Sequence, residues 1–122
     1  MKKILVAEDD KFLANAYRVK LTKANYDIKL ASDGEELLSI IDEFQPDLIL
    51  LDLVMPRKDG FAVLTELRQN PKWAKVPIIV ASNLGQKEDV EKAVKLGATD
   101  YVVKSDLSMK DLVIKISSLV GT

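Results

Sequence analysis

The stretch Pro46-Asp47-Leu48-Ile49-Leu50-Leu51-Asp52 decides the fold of this chain. Four consecutive apolar residues lie between two aspartates, with no polar residue among them. A strand with one face in water alternates apolar and polar residues, so an unbroken apolar run predicts a strand that is buried on both faces. Such strands are typical of the centre of a parallel sheet, whose long crossover connections are usually helices. The stretch therefore predicts an α/β protein.

On either side of this stretch, short apolar runs alternate with segments that have a helical pattern. Five short runs are predicted to be strands: Ile4–Ala7, Tyr26–Ala31, Asp47–Leu51, Pro77–Ala81 and Tyr101–Val103. Each is followed by a segment whose apolar residues recur at helical spacing. These residues are Leu13, Ala16, Tyr17, Leu21 and Ala24; Leu37, Leu38, Ile41 and Phe44; Phe61, Leu64 and Leu67; Val90, Ala93 and Val94; and Leu112, Val113, Ile116, Leu119 and Val120. Ser32 or Asp33 would cap the second helix. Five strand–helix repeats predict one domain over residues 1–122, a doubly wound five-stranded parallel sheet with helices on both faces.

Composition narrows the classes of function. The chain has 122 residues, a net charge of -1, and neither cysteine nor histidine. The small net charge gives no overall field that would attract nucleic acid or an anionic membrane, so we expect neither as a direct partner. The missing residue types exclude disulfides, zinc sites built on these ligands and triads that need an imidazole. The first apolar run stops at Glu8-Asp9-Asp10, too early for a signal sequence or a membrane span, so we expect a cytoplasmic protein.

Polar residues stand where the predicted strands end. Glu8 and Asp9 follow the first strand, Asp52 the third, Ser82 the fourth and Lys104 the fifth. The carboxyl ends of parallel strands share one edge of the sheet, where open α/β folds bind ligands, so these side chains should converge there. The second strand contributes nothing comparable, which is typical of a strand at the edge of the sheet.

Three carboxylates in one cleft repel one another, and a hard divalent cation relieves this repulsion. Magnesium uses a few carboxylate oxygens and often bridges to a phosphate. A lysine and a serine hydroxyl would then meet phosphate oxygens. The set suits a carboxylate nucleophile that attacks phosphorus.

Each of these residues also has an ordinary structural interpretation. The acidic triplet is typical of a solvated turn or a helix start, Asp52 of a turn, Ser82 of a cap, Lys104 of a solvated surface, and Tyr101 of a core. Their convergence on one edge favours the functional interpretation.

The chain resembles, over essentially its full length, the receiver domain of bacterial response regulators. The matching stretches are Ile4–Asp10, Pro46–Asp52, Met55–Gly60, Pro77–Ile79 and Gly97–Lys104. The resemblance implies a flavodoxin-like fold with five helices and the strand order 2-1-3-4-5. It also implies a two-component signalling protein rather than an enzyme, a phosphoacceptor that assists its own phosphoryl transfer and dephosphorylation.

The resemblance implies roles for the acidic residues. Asp52 would be the phosphoacceptor. Asp9 and Asp52 would bind Mg²⁺ with the assistance of Glu8, and the backbone carbonyl of Val54 would complete the protein ligands.

The resemblance also implies a switch. Ser82 would move to contact the phosphoryl group, Lys104 would pair with it, and Tyr101 would change rotamer with Ser82. The donor would be a phosphohistidine on a sensor histidine kinase or a phosphotransfer protein. A downstream protein would bind the face formed by helix four, strand five and helix five.

Two positions depart from the family pattern. Ser105 follows the lysine where the family usually has proline, and we predict a trans Lys104–Ser105 bond because cis is costly without proline. Asn83 follows the switch hydroxyl where the family usually has a small residue.

The sequence ends at Gly121-Thr122 after the fifth helix, so we expect no output domain within it: the chain is a stand-alone regulator or a piece of a longer protein. Two alternatives stay open, a receiver-fold module that works without phosphorylation and a phosphohydrolase with an aspartate nucleophile.

Overall fold

Five strands and five α-helices alternate along the chain in the computed structural model, which describes residues 1–121. Thr122, the last residue of the predicted domain, lies outside this range. The strands are β1 (Lys3–Ala7), β2 (Asp27–Ala31), β3 (Leu48–Leu51), β4 (Ile78–Ser82) and β5 (Asp100–Val103). The helices are α1 (Lys11–Lys23), α2 (Gly34–Phe44), α3 (Gly60–Gln69), α4 (Lys87–Lys95) and α5 (Met109–Val120), with a short 3₁₀ turn at Lys104–Asp106. None of these helices has the length and apolar character to cross a membrane.

All strand pairs in the sheet are parallel, and the order is β2-β1-β3-β4-β5. This confirms the doubly wound fold and the order that the resemblance implied. β3 lies at the centre, where Leu50 pairs with Val6 on one side and with Ile79 on the other. β2 lies at an edge, as predicted, and Asp27 and Lys29 of this strand are exposed.

The core has two layers because β3 is buried on both faces. Ile49 and Leu51 pack towards α2 and α3, while Leu48 and Leu50 pack towards α1 and α5. Every residue of β3 is at most 1% exposed. Two positions that helped to predict the helices face solvent instead: Val94 is 56% exposed and Leu119 is 38% exposed.

Side-chain caps begin four of the helices beside the carboxyl ends of the strands. The capping residues are Asp10 for α1, Asp33 for α2, Asp59 for α3 and Ser108 for α5. Of the two candidates for the second helix, Asp33 is the cap, and its Oδ1 accepts from the backbone N–H of Glu36 at 2.9 Å. These caps satisfy backbone N–H groups that the first turn of a helix leaves unpaired.

The connection between β3 and α3 closes tightly at Gly60. Its backbone N–H donates to the carbonyl of Leu53 at 2.9 Å. A Cβ at Gly60 would lie 2.7 Å from the Cα of Leu53, and the carbonyl oxygen of Asp52 is closer still. Only glycine allows α3 to start this close to the end of β3.

We predict that Gly60→Ala lowers the free energy of unfolding by about 1–3 kcal/mol, because the new methyl group must push the backbone of Asp52 and Leu53 away. Gly85→Ala is the matched control: a Cβ there would meet only the Val103 methyl groups, at 3.7 Å. It should change stability by less than about 0.5 kcal/mol. Urea unfolding measures both variants. Equal midpoints for the two would show that the loop adapts without cost.

Candidate functional site

The predicted polar residues meet at the carboxyl end of the sheet, around an open cleft of about 350 Å³. The residues that line it are Glu8, Asp9, Asp10, Asp52, Val54, Ser82, Asn83 and Lys104. Each stands at or just after the end of β1, β3, β4 or β5, and β2 contributes none of them. The strand-end pattern in the sequence therefore located this cleft.

Three carboxylates in the cleft lie close enough to share a cation. Glu8, Asp9 and Asp52 each offer an oxygen, and these oxygens lie within 4.8 Å of one another. Glu8 and Asp52 are buried, at 4% and 5% exposure, whereas Asp9 is exposed. Mg²⁺ binds oxygen ligands and retains several of its waters, so an all-oxygen set with one open side fits this ion.

Lys104 lies between the two buried carboxylates. Its Nζ donates to Glu8 Oε1 at 2.5 Å and to Asp52 Oδ2 at 3.1 Å. The lysine side chain is only 14% exposed, so these bonds compensate for much of the cost of burying its charge. All peptide bonds among the described residues are trans, which confirms the prediction for Lys104–Ser105.

Burial raises the pKa of Glu8 to about 6. Hydrogen bonds from Lys104 and from the backbone N–H of Asp10 oppose this rise, and the charge of Asp52 adds to it. Burial alone would lower the pKa of Lys104, but the hydrogen bond to Glu8 and the charge of Asp52 outweigh it, and the net pKa is raised. The lysine is therefore charged at neutral pH, whereas burial makes the charged form of Glu8 unfavourable.

The backbone around Asp52 orients its carboxylate. The Asp52 N–H donates to the carbonyl of Ala7 at 3.1 Å, which ties the residue to the end of β1. The N–H of Val54 approaches Asp52 Oδ1 at 3.3 Å. Val54 lies at the rim of the cleft, with the residue 59% exposed. The structure thus places the residue predicted to offer a carbonyl ligand beside the carboxylates.

Ser82 and Tyr101 are connected through one backbone residue that the sequence analysis did not single out. Ser82 is fully buried, and its Oγ accepts from the N–H of Leu84 at 3.2 Å. The hydroxyl of the half-buried Tyr101 donates to the carbonyl of the same Leu84. No pattern in the sequence marks Leu84 for this role, because the two hydrogen bonds use only its main-chain groups.

Asp10 has two roles that its place in the acidic triplet Glu8-Asp9-Asp10 does not distinguish. Its Oδ1 accepts from the N–H groups of Phe12 and Leu13, at 2.9 and 3.2 Å, and so begins α1. Its own N–H donates to Glu8 Oε2 at 3.1 Å. Asp10 thus holds Glu8 in place, and its position just before an amphipathic helix is the signal that could have identified it as a cap.

Comparison with known proteins points to one family. The family model described as the response regulator receiver domain matches residues 4–117. The chain is similar to RpaA of Synechocystis, named a DNA-binding dual master transcriptional regulator, with 36% identity over 85% of this chain and 43% of that protein. Among solved structures, the Francisella response regulator 1452 receiver domain aligns with a TM-score of 0.91 and 33% identity, covering 98% of this chain and 97% of that one. The Mn²⁺-bound form of response regulator Rcp1 aligns with a TM-score of 0.82 and 30% identity, covering 97% and 91%.

These relatives overturn one expectation from the sequence. A net charge of -1 led to the expectation of no nucleic-acid partner, but RpaA is named as DNA-binding and other relatives are named probable transcriptional regulators. The chain spans about half the length of the curated relatives it matches. The expectation was wrong because the charge of a segment of this length says nothing about what the rest of such a protein binds.

We predict that Glu8→Gln stabilises the metal-free protein at neutral pH. The pKa of Glu8 is higher in the folded state, about 6, than its ordinary value of 4.5. Its favourable contribution is therefore present below pH 4.5 and is lost as pH rises through 6. The variant should be more stable by about 1 kcal/mol at pH 7.5 with a chelator, and this advantage should vanish near pH 4.5. Thermal melting at the two pH values measures it. A variant that is less stable than the wild type at pH 7.5 would contradict the raised pKa.

Proposed function

We propose a function for this chain, which belongs to the response regulator receiver domain family of two-component signalling. Asp52 accepts a phosphoryl group, and this event switches a protein-binding surface. The observation that carries the proposal is the position of the Asp52 carboxylate, which lies in the cleft beside Glu8, Asp9 and the Lys104 ammonium. We propose residues 1–122 as the extent of the receiver domain, and the cytoplasm as its location.

The proposed reaction transfers a phosphoryl group from nitrogen to oxygen. A carboxylate oxygen of Asp52 attacks phosphorus in line, the P–N bond of a phosphohistidine breaks, and its electron pair leaves with the imidazole. The product is an acyl phosphate on Asp52. This chain has no histidine, so the donor histidine lies outside it, and we propose that it belongs to a sensor histidine kinase or a phosphotransfer protein.

Asp9, Asp52 and the Val54 carbonyl would hold Mg²⁺, with Glu8 assisting. When bound, the ion would supply positive charge that both the attacking carboxylate and the phosphoryl oxygens need. The oxygen set within 4.8 Å supports this proposal, as does the similarity of the chain to the Mn²⁺-bound form of response regulator Rcp1. The residues themselves orient the carboxylate, through the Asp52 N–H to Ala7 and the approach of the Val54 N–H.

Lys104 and Ser82 would respond to the new charge. Phosphorylation changes one negative charge on Asp52 into about two and adds acceptor oxygens. Lys104 would exchange its contact with Glu8 for one with the phosphoryl group, and the Ser82 hydroxyl would donate to a phosphoryl oxygen in place of accepting from Leu84. Tyr101, which is bonded to the same Leu84, would then rearrange.

The rearrangement of Tyr101 would change the face formed by α4, β5 and α5, because Tyr101 lies in β5. We propose that this face signals to the machinery of transcription, since the curated relatives are named transcriptional regulators. The protein acts as a phosphoacceptor that assists its own phosphorylation and dephosphorylation, rather than as an enzyme that turns over a separate substrate.

We predict that a small phosphodonor adds one phosphoryl group to the wild type only when Mg²⁺ is present, and that Asp52→Asn abolishes the addition. Intact mass measures the product. Asp27→Asn is the matched control, since Asp27 is an exposed aspartate at the start of the edge strand β2 and lies outside the cleft. It should be phosphorylated like the wild type. A phosphoryl group mapped to a serine or threonine would refute the mechanism, and turnover of many phosphodonors without a lasting product would favour a phosphohydrolase.

We predict that Asn83→Ala accelerates both phosphorylation by small donors and loss of the phosphoryl group. Asn83 is exposed at the mouth of the cleft, beside Ser82. Its side chain would obstruct the water that attacks phosphorus in line, and an amide is a poor base for activating that water. Rates for the two proteins at equal Mg²⁺ provide the test. Slower loss in the variant would indicate that Asn83 orients the water instead, and unchanged rates would leave it only a structural role.

A further inference from the structure

We propose that the ion pair between Asp33 and Arg57 is a positioning pair that holds the Val54 carbonyl at the cation site and thereby sets the affinity for Mg²⁺. This inference rests on the proposed function, because it concerns the metal of the same cleft. Neither residue lines the cleft, and neither offers a ligand atom to it. Their effect would pass through the loop of residues 52–59, which carries Val54.

The two oxygens of the buried Asp33 carboxylate have different partners. Asp33 is 2% exposed, and its Oδ1 caps α2 by accepting from the Glu36 N–H at 2.9 Å. Its Oδ2 accepts from Arg57 Nε at 2.8 Å and also from Nη2. The Arg57 side chain remains 61% exposed. The arginine therefore reaches inward from the loop to a carboxylate that the start of α2 already fixes.

Arg57 has an unfavourable backbone conformation. Its φ is 64°, in the left-handed region that is unfavourable for a residue with a Cβ. Glycine would adopt this turn with less steric cost, so the turn alone does not call for arginine. The two charge-assisted hydrogen bonds from Arg57 to Asp33 Oδ2 compensate for this conformation and hold the loop in it.

The rest of the loop is seated against the same end of α2. A Cβ at Gly34 would lie 3.0 Å from the Cβ of Lys58 and 2.5 Å from a methyl group of Val63, and would overlap the Lys58 carbonyl oxygen. The loop thus packs directly on the first residue of α2. Arg57 lies between this contact and Val54, where it fixes the part of the loop that approaches the cleft.

The start of α2 is also connected to the opposite side of the cleft. The N–H of Glu8 donates to the carbonyl of Ala31 at 3.0 Å, two residues before Asp33. One short segment, residues 31–34, therefore contacts both the backbone of Glu8 and the loop that carries Val54. This segment aligns two of the proposed ligands relative to each other.

Mg²⁺ demands nearly ideal octahedral geometry, so its affinity is sensitive to small displacements of a ligand. Outer residues that orient metal ligands commonly change metal affinity by about 10–100-fold when they are mutated. The Arg57 side chain is exposed, so we expect the lower end of this range, about tenfold.

The test measures the Mg²⁺ dissociation constant of the unphosphorylated protein by titration calorimetry. Arg57→Gly removes the pair and suits a φ of 64°, while Asp33→Asn removes the charge and keeps an oxygen to cap α2. Each should weaken binding about tenfold, and the double variant should be no weaker than either single one, because both remove the same interaction. Arg57→Lys should recover part of the affinity. Glu66→Gln, which breaks the exposed Lys58–Glu66 pair from the same loop, should leave it unchanged.

A second readout separates positioning from a general loss of structure. At saturating Mg²⁺ the variants should be phosphorylated at the wild-type rate, and at limiting Mg²⁺ more slowly. Unchanged dissociation constants in both single variants, or weakening by Glu66→Gln to the same degree, would overturn the proposal, as would a wild-type protein that binds no Mg²⁺. A wild type that binds Mg²⁺ but is never phosphorylated on Asp52 would instead refute the proposed function and leave the positioning role to be judged by the dissociation constants alone.

Discussion

The close approach of three carboxylates at the end of a buried sheet is the constraint on which the site depends. The three clustered carboxylates and the ammonium of Lys104 together leave two negative charges uncompensated within the cluster. Such a cluster would separate if its supports were weak, because like charges repel strongly where water is scarce. The supports are strong: β3, whose last residue precedes Asp52, is buried on both faces, and hydrophobic packing holds the carboxylates together despite their repulsion.

The fold and the location of the cleft could be predicted from the sequence because both follow from local patterns. The uninterrupted run Leu48–Leu51 marks the central strand, and helical spacing marks the connections on either side of it. Parallel strands then bring Glu8, Asp52 and Lys104 to one edge although they are far apart in the chain. The order of the strands came from the family resemblance, since the pattern itself does not distinguish one parallel order from another.

The supporting contacts could not be predicted, because each uses a residue that has an adequate local explanation. Asp33 is recognisable as a helix cap, but nothing in the sequence shows that its second oxygen is bonded to Arg57, 24 residues away. Arg57 looks like an ordinary residue of a surface loop, and its left-handed backbone is visible only in three dimensions. Net charge misled for a different reason: it describes this segment alone, which spans about half the length of the curated relatives it matches.

The contacts of Leu84 have a consequence for how such proteins diverge. Its N–H donates to Ser82 and its carbonyl accepts from Tyr101, so residue 84 links these two side chains with main-chain groups alone. Every amino acid except proline supplies both groups. Residue 84 can therefore change to any amino acid except proline over evolutionary time without breaking these two hydrogen bonds, and an alignment of related sequences would record them at that position only as an absence of proline.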